Sequence, residues 1–167
     1  MIKPIGLTAL AIFTTAVLAG GNPEFVGFPA GYQDDYTRYH VQNRANNKQV
    51  AEMYANDVAL KSVKTGKLEA GSVIIMEVYK PVVDGDGNPV AGSDGLFEKA
   101  KLAAVAVMER RNDWSTEFSA DDRTDGWGYA LYDPSGAPKE NDLDCVSCHA
   151  PLAGQEFMFS FDQLSAH

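Results

Sequence analysis

Ser72-Val73-Ile74-Ile75-Met76-Glu77-Val78-Tyr79 is the stretch on which the fold reading turns. It is rich in β-branched residues, which suit a pleated, packed surface, and Pro81 closes it because proline has no N–H to give a central ladder. Downstream, Asp84-Gly85-Asp86-Gly87-Asn88-Pro89 begins like a calcium loop. Its sixth position holds proline where that loop needs glycine, and its twelfth is Gly95 where the loop needs glutamate. The segment therefore reads as a wide hairpin connection. Lys99 to Arg110, apolar from Leu102 to Met108, is the return strand, with a helix as the rival because alanine is abundant. Trp127 to Tyr132 is a further strand and Gln49 to Tyr54 an earlier one, the latter also with a helical rival.

Between these strands Asn56-Asp57 offers an N-cap to a short helix over Val58 to Thr65, and Gly66 fits the left-handed residue after a helix end. Tyr32, Tyr36, Tyr39 and His40 recur at helical spacing, which predicts a short helix within Gly31 to Asn43. Gly20 to Gly31 reads as an extended arm over the core, and Phe157 to Phe161 as a final strand or aromatic clamp. The sum is a mainly β (α+β) domain: a mostly antiparallel sheet with a few short helices.

Length and composition fit one globular domain, with 167 residues of which 45% are hydrophobic. Residues 1–19 read as a secretory signal, with Lys3 at the positive end, an apolar run from Ile5 to Leu18, and Val17-Leu18-Ala19 as the small-residue cleavage site. That run is short for a bilayer span, so cleavage and a periplasmic or secreted product are expected, without stable membrane association. Residues 20–44 then form the arm and short helix, and 45–167 the main domain. A formal charge of −9 disfavours nucleic acid as a partner and would suit a basic redox protein.

Near the C-terminal end stands Cys145-Val146-Ser147-Cys148-His149, which contains both cysteines of the chain. C-x-x-C-H spacing lets two thiols add across the vinyl groups of one haem while the adjacent imidazole turns onto the iron. A redox disulfide fits poorly, because a thioredoxin-type site lies beside a βαβ unit, and zinc would lack a nearby fourth ligand. The motif therefore predicts one covalent haem c, anchored by Cys145 and Cys148 with His149 as proximal iron ligand, packed against a sheet face near the C-terminus. Candidates for a sixth ligand are Met53, Met76, Met108 and His40 upstream and Met158 and His167 in the tail. Phe97, Trp114 and Phe118 are candidates to close the pocket.

Several pieces in consistent order give the chain a family resemblance. Tyr54-Ala55-Asn56-Asp57, Lys64-Thr65-Gly66-Lys67, Gly71 to Glu77, Asp125-Gly126-Trp127-Gly128-Tyr129 and a late C-x-x-C-H followed by Phe157-Met158-Phe159 resemble the cytochrome P-460 family, which includes cytochrome c′-beta. The resemblance spans roughly residues 45 to 163. It implies a β-sheet fold, a homodimer, and a five-coordinate c-haem with a proximal histidine and an open distal side that binds nitric oxide or oxidises hydroxylamine.

One departure bears on that choice. In the hydroxylamine-oxidising members a lysine bonded to the haem ring stands just before the glutamate of the central strand; here that position is Met76, before Glu77. A thioether has no amine to form the bond. The acidic residue that assists proton transfer in those members aligns near Ala104, and Lys80 could restore a cross-link only through a shifted register. The reading is a gas-binding cytochrome with Met76 at the haem. Its rivals are a hydroxylamine-oxidising enzyme and a six-coordinate electron carrier.

Overall fold

A computed structural model describes residues 21–44, 46 and 48–167. The signal sequence assigned to residues 1–19 lies outside them. Five strands form one antiparallel sheet in sequence order: β1 (Thr37–Arg44), β2 (Gln49–Ala55), β3 (Val73–Pro81), β4 (Lys99–Arg110) and β5 (Trp127–Tyr132). The antiparallel sheet with short helices is the fold class that the sequence predicts. Among the described residues no helix is long and apolar enough to cross a membrane.

Among the described residues four short α-helices decorate the sheet: α1 (Tyr32–Asp35), α2 (Asp57–Ser62), α3 (Cys145–His149) and α4 (Phe161–Ala166). The Asn56 side chain accepts from the Ala59 N–H at the start of α2. A 3-10 turn over Val63–Thr65 follows, and Gly66 closes it at φ 79°, a conformation open to glycine without a Cβ clash.

Two local readings are corrected. The helix expected within Gly31 to Asn43 ends at Asp35, and the chain from Thr37 onward is the edge strand β1. The spacing of Tyr32, Tyr36, Tyr39 and His40 suits a helix, but Thr37, Tyr39 and Val41 also alternate, and pairing along β2 completes the backbone hydrogen bonds. A bulge between Arg38 and His40 turns Tyr39 inward, where its hydroxyl bonds that of Ser160 at 2.7 Å. Of the two alternatives for Phe157 to Phe161 the strand fails, because Glu156 and Phe157 both have positive φ and a turn leads into α4, while Phe159 packs edge-on against His149 as an aromatic contact.

Strand periodicity divides the core into two clusters. One face carries Ala51, Met53, Ala55, Ile74, Met108, Trp127 and Tyr129 with Leu164 and Met158; the other carries Tyr54, Ile75, Val105, Val107, Ala130 and Tyr132. The second face is covered by the arm. Val26 is buried there, Phe25 stacks on Phe118 at 4.7 Å, and Phe28 meets Tyr132 edge-on. Trp114 and Phe118 belong to this face, so neither can line a pocket beside Met76.

The same face buries Glu77 completely. Its carboxylate accepts from Tyr32 Oη at 2.6 Å, Gln33 Nε2 at 2.6 Å, Tyr79 Oη at 2.9 Å and Tyr54 Oη at 3.1 Å. Directly opposite on β2 stands buried Glu52, paired with Arg38 at 3.1 Å and Lys99 at 2.9 Å. Burial, then the bond to Glu77, pushes the phenols of Tyr32 and Tyr79 well above their ordinary pKa, so both stay protonated donors. Replacing Glu77 with alanine removes the acceptor of the buried Tyr32 hydroxyl and of the half-buried Tyr79 hydroxyl, and leaves Tyr54 only its 3.4 Å contact with Glu52. Urea denaturation of Glu77→Ala should show a loss of about 3 kcal/mol, against about 1 kcal/mol for Tyr32→Phe, which removes one donor and leaves the acceptor served.

Candidate functional site

Helix α3 consists of the motif itself. Asp144 caps it by accepting from the Ser147 N–H at 2.9 Å, so the turn begins just before the first thiol. Within α3, Cys145 and Cys148 stand three positions apart and Cys145 and His149 four, the spacings that share a helix face. Both thiols are free. Cys145 packs half-buried against the sheet cluster that includes Met53, Met108 and Tyr129, while Cys148 is exposed. Burial, followed by the nearby Cys148 and Asp144, pushes the Cys145 thiol up to about 11.

The His149 ring is held on three sides. Its Nδ1 donates to the Phe157 carbonyl at 2.6 Å, Tyr129 lies tilted against it at 4.7 Å between ring centroids, and Phe159 meets it edge-on at 5.3 Å. The carbonyl can only accept, which fixes the proton on Nδ1 and leaves the Nε2 lone pair available to a metal. Burial lowers the His149 pKa, with the Phe157 bond opposing it, so the neutral form that ligates metals is favoured. Glu156 and Phe157, at φ 50° and 59°, make the turn that aims this carbonyl. Non-glycine residues persist there only when their surroundings hold them.

Directly paired residues share a face, so the register places Met76. His40, Met53, Met76, Ala106 and Leu131 form one row across all five strands, on the side of the sheet where Cys145 and His149 pack. Beside it run Gln42, Ala51, Val78 and Ala104, and on the other side Ala55, Ile74, Met108 and Tyr129. These rows contain no carboxylate and no lysine. Ala104 stands opposite Val78, and Ala106 is the β4 neighbour of Met76. Met53, Met108 and Met158 are buried, whereas Met76 is partly exposed, as are Ala106 and Leu131 around it. His40 shares the row about 10 Å from Met76, two strand spacings away, and lies 3.3 Å from Gln42 Oε1. Lys80 is exposed, about 13 Å along β3 from Met76 at strand rise. His167 is exposed in the tail.

The residues fit a planar, apolar group attached beside α3. Two free thiols and a lone-pair nitrogen stand on one short helix, next to a partly open apolar sheet face lined by small side chains such as Ala106. Comparison with known proteins agrees with this chemistry: the family model for cytochrome P460 matches residues 29–160, from the arm through all five strands and past the C-x-x-C-H. The chain belongs to the cytochrome P460 family. No curated protein matches it. As a cytochrome it takes a haem cofactor, and Cys145, Cys148 and His149 are the residues equipped to hold one.

Sequence reasoning located the thiols and imidazole of this cytochrome but not what orients them. The Phe157 carbonyl carries no side-chain signal, and Tyr129 meets His149 only through the fold. Haem-free protein tests the arrangement. Iodoacetamide at pH 8 should modify exposed Cys148 at least about tenfold faster than Cys145, because thiolate is the nucleophile and burial suppresses it, with peptide mass mapping as the measurement.

Proposed function

We propose that this P460-family cytochrome carries one haem c through thioether bonds from Cys145 and Cys148, ligates its iron with His149 Nε2, and binds nitric oxide or another small diatomic ligand. The observation that carries the reading is the 2.6 Å bond from His149 Nδ1 to the Phe157 carbonyl within a C-x-x-C-H helix. A metal-binding imidazole has its second nitrogen fixed in this way. When bound, the haem would supply the iron that takes a small diatomic ligand, with His149 as the residue that would hold it.

The protein's own groups favour binding over turnover. Oxidising hydroxylamine requires removal of protons, normally by a positioned base. The three rows around Met76 hold no carboxylate and no lysine, Ala104 and Ala106 occupy β4 there, and His40 is two strands away. Tyr129 and Phe159 pack against the imidazole and limit its rotation, and Met53, Met76, Ala106 and Leu131 offer apolar contacts beside it. The chain's acidic charge and the export signal assigned to residues 1–19 fit a periplasmic protein, and the family resemblance fits a homodimer.

Optical spectroscopy of protein made with a haem-maturation system tests the reading. Expected are a c-type pyridine haemochrome, a high-spin ferrous spectrum that shifts on adding nitric oxide or carbon monoxide, and loss of covalent haem in the Cys145→Ala/Cys148→Ala double variant. A low-spin spectrum indifferent to both gases would identify an electron carrier instead. A strongly red-shifted ferrous Soret band would indicate a ring cross-link and the oxidising activity. Met76→Lys places an amine at the position that bears the cross-link in hydroxylamine-oxidising members, and should produce that red shift in a protein that otherwise lacks it.

A further inference from the structure

The turn that aims the Phe157 carbonyl at His149 is tied to the far end of the sheet through two charged side chains. Glu156 Oε2 accepts from the Leu68 backbone N–H at 3.3 Å and stands 3.5 Å from Arg110 Nη1. Arg110, the last residue of β4, has its side chain nine-tenths buried, and its Nη1 has no hydrogen-bond partner. Through Nη2 the same guanidinium donates to Asp125 Oδ2 at 2.9 Å.

Both carboxylates come from residues with left-handed backbone, Glu156 at φ 50° and Asp125 at φ 53°. Each precedes an element that touches the imidazole. Glu156 leads directly into Phe157, whose carbonyl accepts from Nδ1, and Asp125 leads into β5, whose Tyr129 lies on the ring face. One buried guanidinium thus fastens the two strained turns that fix His149. Removing Glu156 leaves the buried Arg110 with only the exposed Asp125, and removing Arg110 leaves the Glu156 carboxylate poorly solvated, so the pair resists relaxation of the turn before Phe157.

We propose that Arg110 and Glu156 are positioning residues that set the orientation and basicity of the His149 imidazole toward the haem iron. The inference rests on the reading of His149 as the iron ligand. A short Nδ1–H···O=C bond draws the proton toward the carbonyl and raises electron density on Nε2, which strengthens its bond to iron and favours the ferric state. Loosening the turn lengthens that bond, weakens the ligand and raises the reduction potential.

Holoprotein variants test this by two readouts: the iron–imidazole stretch in the ferrous resonance Raman spectrum, and the midpoint potential. Glu156→Ala should move the stretch to lower wavenumber and raise the potential. Glu156→Gln, which still accepts from Leu68 but has no charge for Arg110, should give a smaller change in the same sense. Arg110→Met should resemble Glu156→Ala, and the double variant should add little to either. Tyr32→Phe, on the opposite sheet face, controls for general loosening and should leave both readouts unchanged.

An unaltered stretch in Glu156→Ala with haem covalently bound overturns the proposal, as does an equal change in Tyr32→Phe. If Glu156→Ala does not fold, Glu156→Gln decides by the same criterion. A stretch that survives His149→Ala means instead that His149 is not the ligand, and the functional reading fails with it.

Discussion

One residue step on β3 separates Met76 from Glu77, and the period-two geometry of a strand sends them to opposite faces of the sheet. Most of the structure follows from that division. Glu77 must be buried with donors around it, and the arm supplies Tyr32 and Gln33 for the purpose while β2 and β3 supply Tyr54 and Tyr79. The covered, hydrogen-bonded face is thereby committed to stability. Met76 faces the other way, in an apolar row left partly open beside α3. A register slip of one residue would bury the thioether in the tyrosine nest and expose the carboxylate to the apolar side, so the pairing is strongly specified.

The open face and the motif helix meet at Tyr129. It belongs to the row of Ile74 and Met108, and its ring lies against the imidazole of His149. Burial raises the Tyr129 phenol's pKa well above its ordinary value, and its hydroxyl bonds that of Thr124, so the side chain is a neutral, fixed wall. The apolar sheet face, the half-buried thiol of Cys145 and the imidazole thus form one continuous surface. The rows around Met76 hold no carboxylate and no lysine, and their one imidazole, His40, lies two strands away on β1.

Much of this was legible in the residues. The strands over Lys99 to Arg110 and Trp127 to Tyr132 fall where their apolar runs put them, and Asn56 and Gly66 bound the helical segment between β2 and β3. Tyr36, Tyr39 and His40 misled because aromatic spacing of four and three is compatible with a helix, while the pairing that makes β1 a strand is with a partner more than ten residues distant along the chain. Trp114 and Phe118 misled for a related reason. Size and polarity mark them as buried but do not say on which side of the sheet.

By itself the sequence determined the local matters: the C-x-x-C-H cluster, the β-branched run of β3, the absence of a lysine before Glu77, and the family likeness that their order carries. These depend on residue identity at short range, where spacing alone fixes geometry. Only the tertiary structure decided which sheet face meets α3, that a peptide carbonyl eight residues on from His149 orients its ring, and that Arg110 and Glu156 brace that turn. Those contacts join residues through the folded backbone. A carbonyl is the same in every residue, so nothing in the one-dimensional string could single out the one at Phe157.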